Sequence, residues 1–204
     1  MKANKIFLML ASCLVMQVAF AQDEEENNSL FKKENLFTGG TLNVSFGNNL
    51  TALGISPFFG YSVNKYLDVA ASFGVNYTSQ RDVSFFGSND KLRQTNFSPG
   101  AFVRVFPVKF LFAQAQYEFN IIKYKYIPSQ NSGGFKESGS LDAHSLLVGG
   151  GFASGRSQYN KSFYYISILW DVANAANSPY KDQLNRAVPV IRAGYNIALF
   201  QGKR

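Results

Sequence analysis

One cysteine, one histidine and one tryptophan stand in 204 residues. With Cys13 alone no intramolecular disulfide can form, and the chain must be stabilised in another way. No His, Cys, Asp or Glu cluster has metal-ligand spacing, so neither a metal nor any other cofactor is expected. No Gly-rich phosphate loop is present; "GGGF" at Gly149 lies within an alternating stretch, where small residues serve packing. Only 16 % of residues are charged, against about 25 % in a typical soluble domain. The formal net charge is +7 without a dense Lys/Arg run, which argues against nucleic acid as a partner. Beyond the N-terminal stretch no eighteen-residue apolar run occurs, so no transmembrane helix is expected. Aromatic residues are plentiful instead, at 16 %.

The first residues, "MKANKIFLMLASCLVMQVAFAQ", combine basic Lys2 and Lys5, an apolar run from Ile6 to Val18 and an Ala19-Phe20-Ala21 cleavage site. This is the pattern of a secretory signal peptide over residues 1–21. "LASC" would alternatively be a lipoprotein box acylated at Cys13, but more apolar sequence follows Cys13 where a polar tether is expected. Cleavage after Ala21 removes the only cysteine and leaves 18 basic against 13 acidic residues, a charge of +5. Residues 22–35 are polar and charged, as in a short flexible periplasmic tail.

From Leu36 the chain alternates. In "YLDVAASFGVNYTS", Leu67, Val69, Ala71, Phe73, Val75 and Tyr77 interleave with Asp68, Ala70, Ser72, Gly74, Asn76 and Thr78. Period two over twelve residues reads as a β-strand with unlike faces. Seven further segments share the pattern: "LFTGGTLNVSFG", "TALGISPFFGYSV", "TNFSPGAFVRVF", "FLFAQAQYEFNIIKYKY", "LDAHSLLVGGGF", "KSFYYISILWDV" and "AVPVIRAGYNIALF". Tight turns are expected at "VNKY", "PVK" and "SGRS", and long connections at "SQRDVSFFGSNDK", "IPSQNSGGFKESGS" and "ANAANSPYKDQLNR". Short turns at one end and long loops at the other, joining strands of about 9–11 residues, describe an outer-membrane barrel.

The polar faces decide which side is inside. They hold small, uncharged residues with few charges, as a narrow lumen filled by side chains requires, where a watery surface would carry many Lys and Glu. The apolar faces place Phe and Tyr toward strand ends, as interfacial girdles do. Lipid offers the backbone no hydrogen-bond partner, so such strands must close on themselves. The expected fold is all-β: an eight-stranded antiparallel up-and-down transmembrane barrel over residues 36–200, with a C-terminal tail at 201–204 and no open channel.

The pattern resembles the small eight-stranded outer-membrane barrels of Gram-negative bacteria, the OmpA/OmpX-like group, over Leu36 to Phe200. The last segment, Arg192-x-Gly194-x-x-Ile197-x-Leu199 followed by Phe200, is similar to the terminal signal read by the barrel-assembly machinery. Gly194, Ile197, Leu199 and Phe200 are the residues so implied, and the additional "QGKR" departs from that signal. The resemblance implies an outer-membrane location, without naming a ligand.

Among candidate sites, Asp68 and Arg104 lie on polar faces near one turn and are expected to pair, since a lone buried charge costs several kcal/mol, roughly. Glu118 and Arg192 join them as interior charges. Folding the fourth and fifth segments about Pro107 brings Arg93 opposite about position 121 or 123. Arg93, Lys123 and Lys125 then share the lipid-facing rim, where lipopolysaccharide phosphates would relieve their repulsion. Phe85 and Phe86 offer a loop contact for an extracellular or envelope protein. His144 beside Ser145 invites a hydrolase reading, but nucleophilic catalysis needs a base, an orienter and an oxyanion donor in register. The function expected is structural or interactive, through the loops and without catalysis. An accessory barrel of a secretion or assembly machine, a lipid A-modifying enzyme and a soluble lipocalin-like carrier stand as alternatives.

Overall fold

The computed structural model describes residues 31–46, 49–84, 89–129, 134–154, 162–181 and 186–200. After a 3-10 turn at Lys33–Asn35, eight strands follow: β1 (Leu36–Phe46), β2 (Leu50–Ser62), β3 (Leu67–Arg81), β4 (Lys91–Val108), β5 (Leu111–Ile127), β6 (Glu137–Ser154), β7 (Phe163–Asp171) and β8 (Val190–Ala198). Each pairs antiparallel with the next, and β8 returns to β1 through Phe37↔Ala198 and Leu42↔Ala193, closing the barrel. Every strand thus has two partners, and the free edges of an open sheet are gone.

The two faces are inverted relative to a soluble barrel. Ile166, Ile168 and Trp170 of β7 are exposed, while the interleaved Tyr165, Ser167 and Asp171 are buried. The same parity puts Phe73 and Val75 outside on β3, and Asp68 and Ser72 inside. Buried polar atoms and an exposed apolar band are the arrangement of a barrel that crosses lipid, not of a soluble carrier with an apolar lumen. Among the described residues no helix is long and apolar enough to cross a membrane, and none is required.

Two expectations need correction, and one falls outside the described residues. The strands are unequal: β3 to β6 run 15 to 18 residues and β7 and β8 only 9. The barrel wall is therefore tall on one side and low on the other at the long-loop end. The β6–β7 ladder runs as far as Ser154↔Tyr164, and the rest of "SGRS", expected as a tight turn, lies beyond Ser154 outside the described residues. Alternation of faces fixes that register, because a one-residue slip would turn every side chain over. Second, the β4–β5 turn falls at Lys109 and Phe110 rather than about Pro107. The register shifts between Val105 and Val108, so Pro107 sits in an irregularity, where its missing N–H is tolerated.

Candidate functional site

The interior is built in two storeys. Toward the short-turn end Phe37, Phe58, Phe102, Phe106, Phe112, Phe163 and Tyr165 form one buried cluster. Phe58 meets Phe102 edge-on at 5.4 Å and Phe106 meets Phe163 at 5.9 Å, geometries that aromatic pairs favour. The sequence reading placed mainly small residues inside and missed this layer. The signal was present, since Phe102 and Phe106 share the parity of Arg104.

Arg104 lies on top of the aromatic layer. Its guanidinium carbon is 4.3 Å from the Tyr165 ring centre, 4.6 Å from Phe112 and 4.8 Å from Phe102, a desolvated cation over ring faces. Asp68 stands directly opposite it in the β3–β4 ladder, and both are 1 % exposed. Arg104 Nε donates to Gln114 Oε1 at 3.1 Å. From there a ladder climbs one face of β5: Gln114 Nε2 donates to Gln116 Oε1, and Gln116 Nε2 to Glu118 Oε1, each at 2.8 Å. Inward residues at i, i+2 and i+4 make such a ladder, since strand side chains alternate.

At its head Glu118 Oε1 also accepts from Arg192 Nη2 at 2.8 Å. The phenol of Tyr180, in the β7–β8 connection, donates to Glu118 Oε2, and Arg192 Nη2 is 3.2 Å from the same phenol oxygen. Burial, and next the Glu118 charge, push the Tyr180 phenol well above its ordinary pKa. Beside it runs a second network: Asn96 donates to Asn120, Asn120 to Ser145, and Ser178 to Asp171. Asp171 in turn accepts from the amides of Leu146 and Ala173. A cavity of about 10 Å³ remains between the storeys, bordered by Ser72, Arg104, Ser167 and Arg192. That is room for about one water.

Outside, Arg93 of β4 lies opposite Lys125 of β5, and Thr95 opposite Lys123. All three cations are exposed on the outer face. The partner of Arg93 is two to four residues further than the expected position 121 or 123, because the turn lies beyond Pro107. Arg81 and Lys91, also outward and directly paired across β3–β4, extend the patch; sequence reasoning omitted them. Along β4 the cations follow an outward apolar series running from Val105 to Phe97, and along β5 one from Leu111 to Ile121. Those lengths match the hydrophobic height of a membrane barrel, about 9–11 residues of a tilted strand.

His144 points outward and Ser145 inward from the same strand, with Ser145 fully buried. The two cannot serve one substrate. His144 Nδ1 instead meets the Tyr117 hydroxyl, and its ring lies 5.0 Å from Phe119. Among the described residues no group of three His, Cys, Asp or Glu could hold a metal ion. Phe85 and Phe86 lie outside the described residues. The base of their loop is organised by buried Asp90, which accepts from the Val83 and Ser84 amides, the Ser84 hydroxyl and the Tyr126 hydroxyl. In β8, Ile197 faces outward like Ile191 and Tyr195, whereas Gly194 faces inward against the Tyr165 ring; Leu199 donates its amide to Leu36, and Phe200 is exposed.

No protein-family model matches the chain, and no curated protein sequence does. Several solved structures are similar to it. Ail, the attachment invasion locus protein of Yersinia pestis, shares 14 % identity over 79 % of this chain and 95 % of that one, with a TM-score of 0.44. The translocator domain of the autotransporter NalP from Neisseria meningitidis shares 9 %, over 96 % and 95 %, at 0.42. The N-terminal β-barrel domain of Pseudomonas aeruginosa OprF shares 12 %, over 80 % and 95 %, at 0.38.

Proposed function

We propose that the chain is an outer-membrane protein, delivered by a cleaved signal peptide and the barrel-assembly machinery, that acts without catalysis by presenting its rim and loops. Among the described residues the barrel interior is filled by side chains, which supports a role for the outer surface rather than for transport. The observation that carries the reading is the juxtaposition of Arg93 with Lys125, flanked by Lys123, just beyond the apolar band. Lys123 lies two residues, and Arg93 and Lys125 four residues, beyond the last outward apolar position of their strands, about 5–10 Å at about 3.4 Å per residue and a tilt of roughly 40°, so these cations stand at headgroup level. Side by side in partial contact with hydrocarbon they repel one another, and a phosphate between them reverses the sign of the interaction. The ligand class is the phosphorylated headgroup of lipopolysaccharide.

The test is lipopolysaccharide binding to the protein in detergent micelles, wild type against Arg93→Ala/Lys125→Ala. Removing two charge-assisted contacts is expected to weaken binding at least tenfold and to flatten its salt dependence. Unchanged affinity and an unchanged salt slope would sink the proposal. In planar bilayers the same protein is expected to show no stable large conductance.

A further inference from the structure

The β6–β7 ladder begins at Leu147↔Asp171, and β6 continues ten positions beyond it to Glu137. At the level of Ser145 the wall therefore lacks its β7 neighbour. Ser145 and Asn120 are nevertheless completely buried, and Glu118 and Arg192 are 2 % and 3 % exposed. Something other than a strand closes the notch.

The chain leaving β7 does so. After Asp171 it turns at Asn174, which takes a left-handed φ of 53°, and comes back to the mouth of the barrel. Buried Ser178 donates to Asp171 Oδ2 and lies within 3.4 Å of the Ser145 hydroxyl. Two residues on, Tyr180 reaches Glu118 and Arg192. The segment is also tied to itself and to the chain before β8: the Val188 amide donates to the Tyr180 carbonyl at 3.0 Å, Lys181 forms a β-bridge with Ala187, and Lys181 Nζ donates to the Asn174 carbonyl at 2.9 Å.

We propose that Ala173 to Lys181 is a lid over the low side of the barrel, latched from within by Tyr180 and Ser178, that can lift while the barrel stays folded. Several features converge on this. The lid is held through the Ser178 and Tyr180 hydroxyls and Lys181, whereas the wall around it is held by continuous backbone ladders, and local openings are drawn from elements outside such ladders. Its receptor survives its departure, because Glu118 keeps Arg192 and Gln116 as partners and Asp171 keeps the Leu146 amide. Lifting lets water reach the Glu118–Arg192 pair, which solvent can then solvate. The lid thus offers an event at the outer surface a route to the polar interior.

The experiment is limited trypsin digestion of the folded mature chain in detergent micelles, following by mass spectrometry cleavage after Lys181, whose ammonium is tied to the Asn174 carbonyl in the closed lid. The wild type should be cut slowly. Tyr180→Phe, which keeps the ring and removes the hydroxyl, should be cut about tenfold faster, the factor for one hydrogen bond to a charged group, with the heat-modifiable folded band retained. Should that variant not give the folded band, Ser178→Ala is read alone by the same criterion. An unchanged rate in Tyr180→Phe/Ser178→Ala, or acceleration only in proportion to loss of the folded band, would overturn the lid.

Discussion

Glu118 and Arg192 are 74 positions apart along the chain and 2.8 Å apart inside the barrel. This bond joins β5 to β8 across the lumen, and through it the ladder from Arg104 connects to Tyr180. Both groups have left water, so what each gains depends on the other being present. Glu118→Ala, leaving Arg192 buried beside a phenol, is expected to lower stability by about 3–5 kcal/mol. The double replacement Glu118→Gln/Arg192→Met should cost clearly less. Urea unfolding in lipid vesicles, read as a double-mutant cycle, measures the difference; additive losses would show that the two residues do not act as a pair.

Tyr180 has its own signature. Its phenol is held neutral by burial and by the Glu118 carboxylate, so its folded pKa lies above the usual value of about 10. For a group that is neutral when protonated, a raised folded pKa means that the closed lid is fully favoured below about pH 10 and loses ground as pH rises from there through the raised folded value. The difference in phenolate absorbance between wild type and Tyr180→Phe should therefore be near zero at pH 10 to 11 in the folded protein, and should appear on denaturation. A full phenolate difference in the folded protein would show Tyr180 to be in water.

Asp90 governs the β3–β4 loop. Its carboxylate gathers two amides and two hydroxyls, and Asp82 opposite holds the Asn89 amide and the Asn49 side chain. Asp90→Ala leaves those donors without their acceptor, at roughly 1–3 kcal/mol locally. Hydrogen exchange at Val83 and Ser84 should accelerate on the order of tenfold or more, while the strands keep their protection. Equal protection at both amides in the variant would remove Asp90 from that role.

What the sequence made legible was whatever is periodic. The eight segments, the inward parity of Asp68, Arg104, Glu118 and Arg192, and the outward parity of Arg93 and His144 all follow from a repeat of two. What it hid was whatever periodicity does not encode. The offset that sets Arg93 against Lys125 depends on where the chain turns after Pro107, and a turn at Lys109 and Phe110 moved the partner of Arg93 by two to four residues. The aromatic storey could have been read from Phe102 and Phe106, but a search for polar interiors passes over them. The lid was out of reach: "ANAANSPYKDQLNR" looks like any long loop, and Tyr180 gains its partners only once strands far apart in sequence close around Glu118.

The central claim is that the apolar face looks at lipid, and the single tryptophan reports on it directly. Trp170 projects outward near the long-loop end of β7, between Ile168 and Val172. In vesicles its emission should be blue-shifted, strongly quenched by lipids brominated near the headgroup end of the acyl chain, and little affected by aqueous iodide. Red-shifted emission, quenched by iodide and indifferent to brominated lipid, would contradict the account.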